Sequence, residues 1–172
     1  MSDVARRSGH PISVVLYCIL GVALVAQLAL LFLLPAGRVE WLQIVGWGVF
    51  ALSAVFGWVP IFVFRRRGGV AKGRTYIHTT QLVTSGLYAI VRHPQFLAGD
   101  LIAVAVMCIT QHWAALVTGA AAIVSNRLTM IKADRDLVAK FGEPYREYMA
   151  RVPGASLVVG LWRRAHRLRR RR

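Results

Sequence analysis

Apolar residues along this chain come in blocks rather than in alternation. Residues 12–34, ISVVLYCILGVALVAQLALLFLL, and 41–64, WLQIVGWGVFALSAVFGWVPIFVF, carry no charge over 23 and 24 residues respectively. At about 1.5 Å per residue, either block is long enough as a helix to cross a hydrocarbon layer roughly 30 Å thick. The first exceeds the roughly 7–15 residue core of a signal peptide and is followed by a second, so it reads as a retained anchor. Two shorter apolar stretches, 96–110 and 113–131, are separated only by Gln111 and His112. They predict a tight helical hairpin whose open ends, marked by Asp100 on one arm and by Asn126 and Arg127 on the other, reach the same membrane face. Gly119, Ala120, Ala121 and Ala122 would let its helices approach closely. The alternative for this pair is two buried helices of a soluble bundle.

Beyond the hairpin, KADRDLVAKFGEPYREYMARVP (132–153) places Leu137, Val138, Phe141, Tyr145, Tyr148 and Val152 at three- and four-residue intervals. That is an amphipathic helical stripe, and Gly142 followed by Pro144 predicts a stop and a restart within it. Asp134 lies on the same stripe, whereas Asp136, Glu143 and Glu147 suit solvated pairs with nearby lysines and arginines. The pattern predicts an all-α integral membrane protein of about four transmembrane helices, two full spans plus the hairpin, with a C-terminal cytoplasmic amphipathic helical segment. Its expected divisions are a two-span anchor (1–64), a loop, hairpin and helical region (65–153) and a basic juxtamembrane tail (154–172).

Composition sharpens this picture. The chain is 56% hydrophobic with a net charge of +15 and a mean hydropathy of +0.52. Four spans would leave 21 of its 22 lysines and arginines, all but Arg38, on one side. Such an asymmetry predicts that both termini and the central loop are cytoplasmic, at the plasma membrane in a prokaryote. The tail WRRAHRLRRRR (162–172) follows the apolar SLVVGLW, a combination that suits anionic lipid headgroups better than nucleic acid. Cys18 and Cys108 fall inside predicted spans, without metal-ligand spacing or disulfide logic. The chain contains no GxGxxG, no metal-ligand cluster and no nucleophile–base arrangement.

Polar chemistry gathers instead at GLYAIVRHPQF (86–96). Pro94 suits the first turn of a helix, which puts His93 at its N-cap and Arg92 just outside. An arginine, a histidine and free helix N–H groups together favour an anion such as a carboxylate or phosphate. Arg92 reaching for headgroups and His93 acting only as a cap is the plainer alternative. Asp100, an ionisable residue within a span, is a functional candidate; a structural hydrogen bond to the neighbouring helix is its alternative.

Taken in order, LVTSGLYAIVRHPQF (82–96), a helical hairpin, and D-x-x-L-x-x-x-F-G-x-x-Y-x-x-Y-x-x-x-V-P (134–153) resemble the isoprenylcysteine carboxyl methyltransferase and phospholipid methyltransferase superfamily. The resemblance covers roughly 78–153. It implies S-adenosylmethionine as cofactor, bound at the cytoplasmic face, and a lipid-soluble methyl acceptor. The family's cofactor-binding positions fall on Thr80, Gln81, Leu82, Val83, Tyr88, His93, Pro94, Gln95 and Phe96. The residues read above as the polar cluster and the acid within the span, Arg92, His93 and Asp100, are the candidate catalytic group. Three positions depart from the pattern. The family's paired glutamates are Ala133 and Asp134, leaving Asp134, with its shorter reach, to take the cofactor's amino group. The usual RHPxY reads RHPQF, with its following glycine one place late at Gly99. The family's substrate-contacting arginine is Thr129, and Arg127, two residues away, points about 200° around the helix from it. Two other readings remain open from the sequence: an NADPH-dependent sterol-type membrane reductase drawing on the basic loop 65–74, and a non-enzymatic lipid- or partner-binding protein of the same fold. The acceptor and the oligomeric state are not specified by these motifs.

Overall fold

The computed structural model describes residues 11–67 and 80–169. Arg6 and Arg7, the basic loop beyond Arg67 and the last three arginines lie outside the described residues. Six helices carry the described chain: α1 (Pro11–Leu33), α2 (Glu40–Arg67), α3 (Pro94–Thr110), α4 (Trp113–Phe141), α5 (Glu143–Arg151) and α6 (Leu157–Arg169), with a 3-10 turn at Gly86–Ala89. No strand occurs among the described residues. Glu40–Val63 of α2 and all of α4 are long and apolar enough to cross a membrane, while Tyr17–Leu33 and Pro94–Thr110 are shorter apolar helices. α4 corrects the expected boundaries. The fourth apolar stretch does not end near residue 131 but continues as one helix through KADRDLVAKF to Phe141.

The chain forms two compact units, Met1–Ala54 with Ala98–Asp136, and Val55–Leu97 with Leu137–Arg172. In the first, the core is made of small residues. Ala23, Ala103 and Ala122 are buried together, with Leu24, Met107 and Ile123 packed around them. The buried face of α4 runs Ala115, Gly119, Ala122, Ser125, Asn126 and Thr129, the spacing of one helical stripe. Of the four small residues expected to face the hairpin, Gly119 and Ala122 do so; Ala120 and Ala121 are exposed. A side chain at Gly119 would run into Met107 and the Gln27 amide. Gln27 itself is fully buried, and its Nε2 donates to the Ala115 carbonyl and to Thr118 Oγ1, each at 2.8 Å. An amide crossing between helices in this way suits an apolar surrounding, where it has few competing partners. At one end of this unit Gln111, with φ of 49°, binds the Val39 backbone twice: its Oε1 accepts from the N–H at 3.1 Å and its Nε2 donates to the carbonyl at 2.9 Å. Val22, Phe32, Trp41, Ile44 and Trp47 are exposed, an apolar exterior on α1 and α2.

In the second unit the core is aromatic. Val83, Tyr88, Tyr145, Tyr148 and Val152 are buried together, with Val63, Leu82, Leu137, Val138, Phe141 and Met149 against them. α4 stops at Phe141 because Gly142 takes φ of 65°, a left-handed turn open to glycine, and Pro144 restarts the chain in the first turn of α5. α6 packs closely on the segment after the 3-10 turn: a Cβ added at Gly160 would run into the Ile90 carbonyl. Backbone cannot yield there as a flexible side chain could. Gly160→Val is therefore expected to destabilise the protein by about 1–3 kcal/mol, the usual cost of overpacking. Thermal unfolding in detergent, read by circular dichroism against the neighbouring Val159→Ala, checks this.

Candidate functional site

The loop before α3 is built by backbone rules. Gly86 has φ of 67°, which opens the 3-10 turn, and the Ile90 and Val91 N–H groups close it on the Leu87 carbonyl at 2.9 and 3.0 Å. Val91 to His93 then lead, through a bend at Arg92, into the next helix. The Arg92 N–H donates to the Pro153 carbonyl and the His93 N–H to the Gly154 carbonyl, both at 2.9 Å. His93 is the N-cap, its carbonyl accepting from the Leu97 N–H at 3.1 Å, and Pro94 opens α3, where a missing N–H costs nothing. The local structure expected of RHP is the one found.

This turn and the end of α4 with α5 wall one cavity of about 90 Å³. Gln81, Leu82, Val83, Tyr88 and Arg92 line it from one side; Leu137, Lys140, Phe141, Tyr145 and Tyr148 line it from the other. The Tyr148 hydroxyl donates to the Tyr88 carbonyl at 2.6 Å, a buried bond tying the two walls together. Tyr145 and Tyr148 meet edge to face, their centroids 5.8 Å apart, and the Lys140 ammonium sits 5.2 Å from the Phe141 ring centroid. Two cations and four aromatic rings thus surround a small space, a lining able to hold an anionic group beside a ring or a soft cation.

The sequence-derived positions divide. Gln81, Leu82, Val83, Tyr88 and Arg92 line the cavity. Thr80 is exposed at the start of the segment. His93 and Pro94 are buried, Gln95 is exposed, and Phe96 is half-buried with its ring 5.4 Å from that of His93; these four form the helix start off the cavity lining. Asp100 and Asp134 belong to the other compact unit, both buried. Asp100 accepts from Asn126 Nδ2 on Oδ1 and pairs with Arg127 Nη2 through Oδ2, each at 2.7 Å. That is the hydrogen bond to the neighbouring helix weighed for it, with an ion pair added. Thr129 is fully buried and donates to the Ser125 carbonyl at 2.7 Å, while Arg127 is exposed, so the two do point to different sides of α4.

Phe141, Tyr145 and Tyr148 were legible as an amphipathic stripe and as part of the second motif of the resemblance, but not as cavity lining; Lys140 was in neither. The available signal was the polar tip on two of its aromatics and a lysine placed next to Phe141. Comparison with family models, with curated proteins and with solved structures finds no match for this chain. Tyr148→Phe is expected to leave the Tyr88 carbonyl short of its buried partner and to cost about 1–3 kcal/mol. Thermal midpoints of the two proteins in the same detergent test it, with Tyr145→Phe as comparison.

Proposed function

We propose that the chain is an integral-membrane, S-adenosylmethionine-dependent methyltransferase acting on a lipid-soluble acceptor at the cytoplasmic face. In this reading four helices span the bilayer, both termini are cytoplasmic, and the exposed apolar side chains of α1 and α2 meet lipid. The observation that carries the reading is that the two sequence segments of the resemblance, far apart along the chain, wall the same cavity. Packing of the two motifs accounts for their shared core, and a shared ligand would account for the two cations brought to the same space.

The lining fits the cofactor by its chemistry. Arg92 and Lys140 can take a carboxylate, and Tyr88, Phe141, Tyr145 and Tyr148 can take an adenine ring or a sulfonium, which aromatic faces attract as they do other cations. At about 90 Å³ the cavity is below the roughly 300–1,000 Å³ of whole small-molecule sites, so these walls hold one end of the ligand. When bound, the cofactor supplies an electrophilic methyl group on sulfur. The protein's task is then to align an acceptor and keep water out, a contribution that proximity and orientation make large. A carboxylate or thiolate acceptor asks for no general base. The Asp100 carboxylate is already engaged by Asn126 and Arg127, which suits a structural part better than that of a general base.

Calorimetric titration of the detergent-purified chain with S-adenosylhomocysteine tests the reading, with NADPH as comparison. Saturable binding of the former alone is expected, weakened more than tenfold (about 1.4 kcal/mol) in Arg92→Ala and in Lys140→Met. His93→Ala, at the helix start rather than the lining, is expected to weaken it less than Arg92→Ala. Wild-type affinity in both cation variants would refute the cavity assignment. Tight NADPH binding would favour a reductase, and binding of neither a non-enzymatic role.

A further inference from the structure

α6 is amphipathic the wrong way round for a helix that packs on protein. Gly160, Arg163, Arg164 and Arg167 share one face at i, i+3, i+4, i+7 spacing, and that face is turned to the rest of its unit. Gly160 is buried against Ile90. Arg163 Nη1 donates to the Ala150 carbonyl at 3.4 Å, Arg164 Nη1 to Gly86 at 3.4 Å, and Arg167 to Arg151 at 2.5 Å and Ala89 at 3.4 Å. The guanidinium groups satisfy carbonyls at the ends of the 3-10 turn and of α5. Val158, Leu161, Trp162 and Ala165 have the same spacing two residues out of step, about 200° around the helix. They look outward: Val158 is 79%, Trp162 65% and Leu161 49% exposed. Water is a poor solvent for such a face, and its burial must come from outside this unit.

Charge identifies what covers it. Arg169 is exposed at the end of this helix, three more arginines follow it in the chain, and no acidic residue occurs after Glu147. Trp162 lies within the exposed apolar arc, and such a ring favours a membrane–water boundary. We propose that α6 is an interfacial helix that lays its Val158–Leu161–Trp162 face into the headgroup–acyl boundary of an anionic bilayer, its inner arginines fastening it to the protein. The arginines expected from the sequence to meet headgroups are thus divided: Arg163, Arg164 and Arg167 hold backbone carbonyls, and Arg169, exposed at the helix end, is left for the lipid. A helix of this kind binds by apolar insertion together with attraction to anionic lipid.

The inference rests on the membrane reading above and is tested so that the two can fail separately. The full chain, with Cys18→Ser and Cys108→Ala, is given a single labelling site at Val158→Cys or, on α2, at Leu52→Cys. Each is tagged with an environment-sensitive fluorophore and reconstituted in phosphatidylcholine vesicles with or without phosphatidylglycerol. Lipids carrying a nitroxide near the headgroup are expected to quench the Val158 label, at least twofold more strongly with phosphatidylglycerol present, and a water-soluble nitroxide to quench it weakly. Deep-chain nitroxides are expected to quench the Leu52 label. A Val158 label quenched only from water overturns the proposal, as does one shielded from both quenchers, which would mean a protein partner or a second copy covers the face. Equal quenching without phosphatidylglycerol overturns the anionic assignment. If Leu52 is quenched by lipid and Val158 is not, α6 alone is misread; if neither is quenched, the membrane reading falls with it.

Discussion

Two backbone hydrogen bonds organise the unit that holds the cavity: Arg92 N–H to Pro153 and His93 N–H to Gly154. The irregular segment that precedes a helix has N–H groups with no partner within it, and burying them without one is costly. The chain beyond α5 supplies the partners. Pro153 ends α5 because it cannot continue it, and the carbonyl it exposes is the one Arg92 takes. Once those two segments are joined, Tyr148 reaches the Tyr88 carbonyl and α6 comes close enough for its arginines to cap the 3-10 turn. The cavity follows from that pairing.

The other unit is held by a different economy. Its packed interior is built from alanine and glycine, which bring helix backbones together but specify no register. Polar side chains do that work. Gln27 spans from α1 to α4, Gln111 grips Val39, and Asp100 is held on two oxygens from α4. Removing one member of the Asp100 group would strand a buried charge, which is why such pairs resist piecemeal change even when their net contribution is small.

Legibility from the sequence varied with the kind of signal. Glycine and proline spoke plainly: Gly142 and Pro144 marked the break between α4 and α5, and Pro94 set the start of α3. The end of α4 was misread because Asn126, Arg127 and Lys132 interrupt the apolar run. Yet the buried stripe continues through Ser125, Asn126 and Thr129 at unbroken helical spacing. Hydropathy reports what surrounds a helix, not whether the helix goes on. Lys140 and the tyrosines joined the cavity lining through the fold of the α4–α5 break, which a stripe on a helical projection does not contain. The residues of α6 were read as a basic tail rather than a helix, and its direction was hidden for a related reason. Amphipathicity reveals two faces, and only the partners of Gly160 and the arginines show which one turns inward.

Those arginines also impose an order of assembly. Arg164 and Arg167 stand 78 residues beyond the carbonyls they satisfy at Gly86 and Ala89. A chain made from its N-terminus completes all its apolar helices before either arginine leaves the ribosome. The Gly86 and Ala89 carbonyls must therefore wait, solvated, until α6 has been made. Packing of the earlier helices and capping of the 3-10 turn thus become separate events, the second waiting on α6.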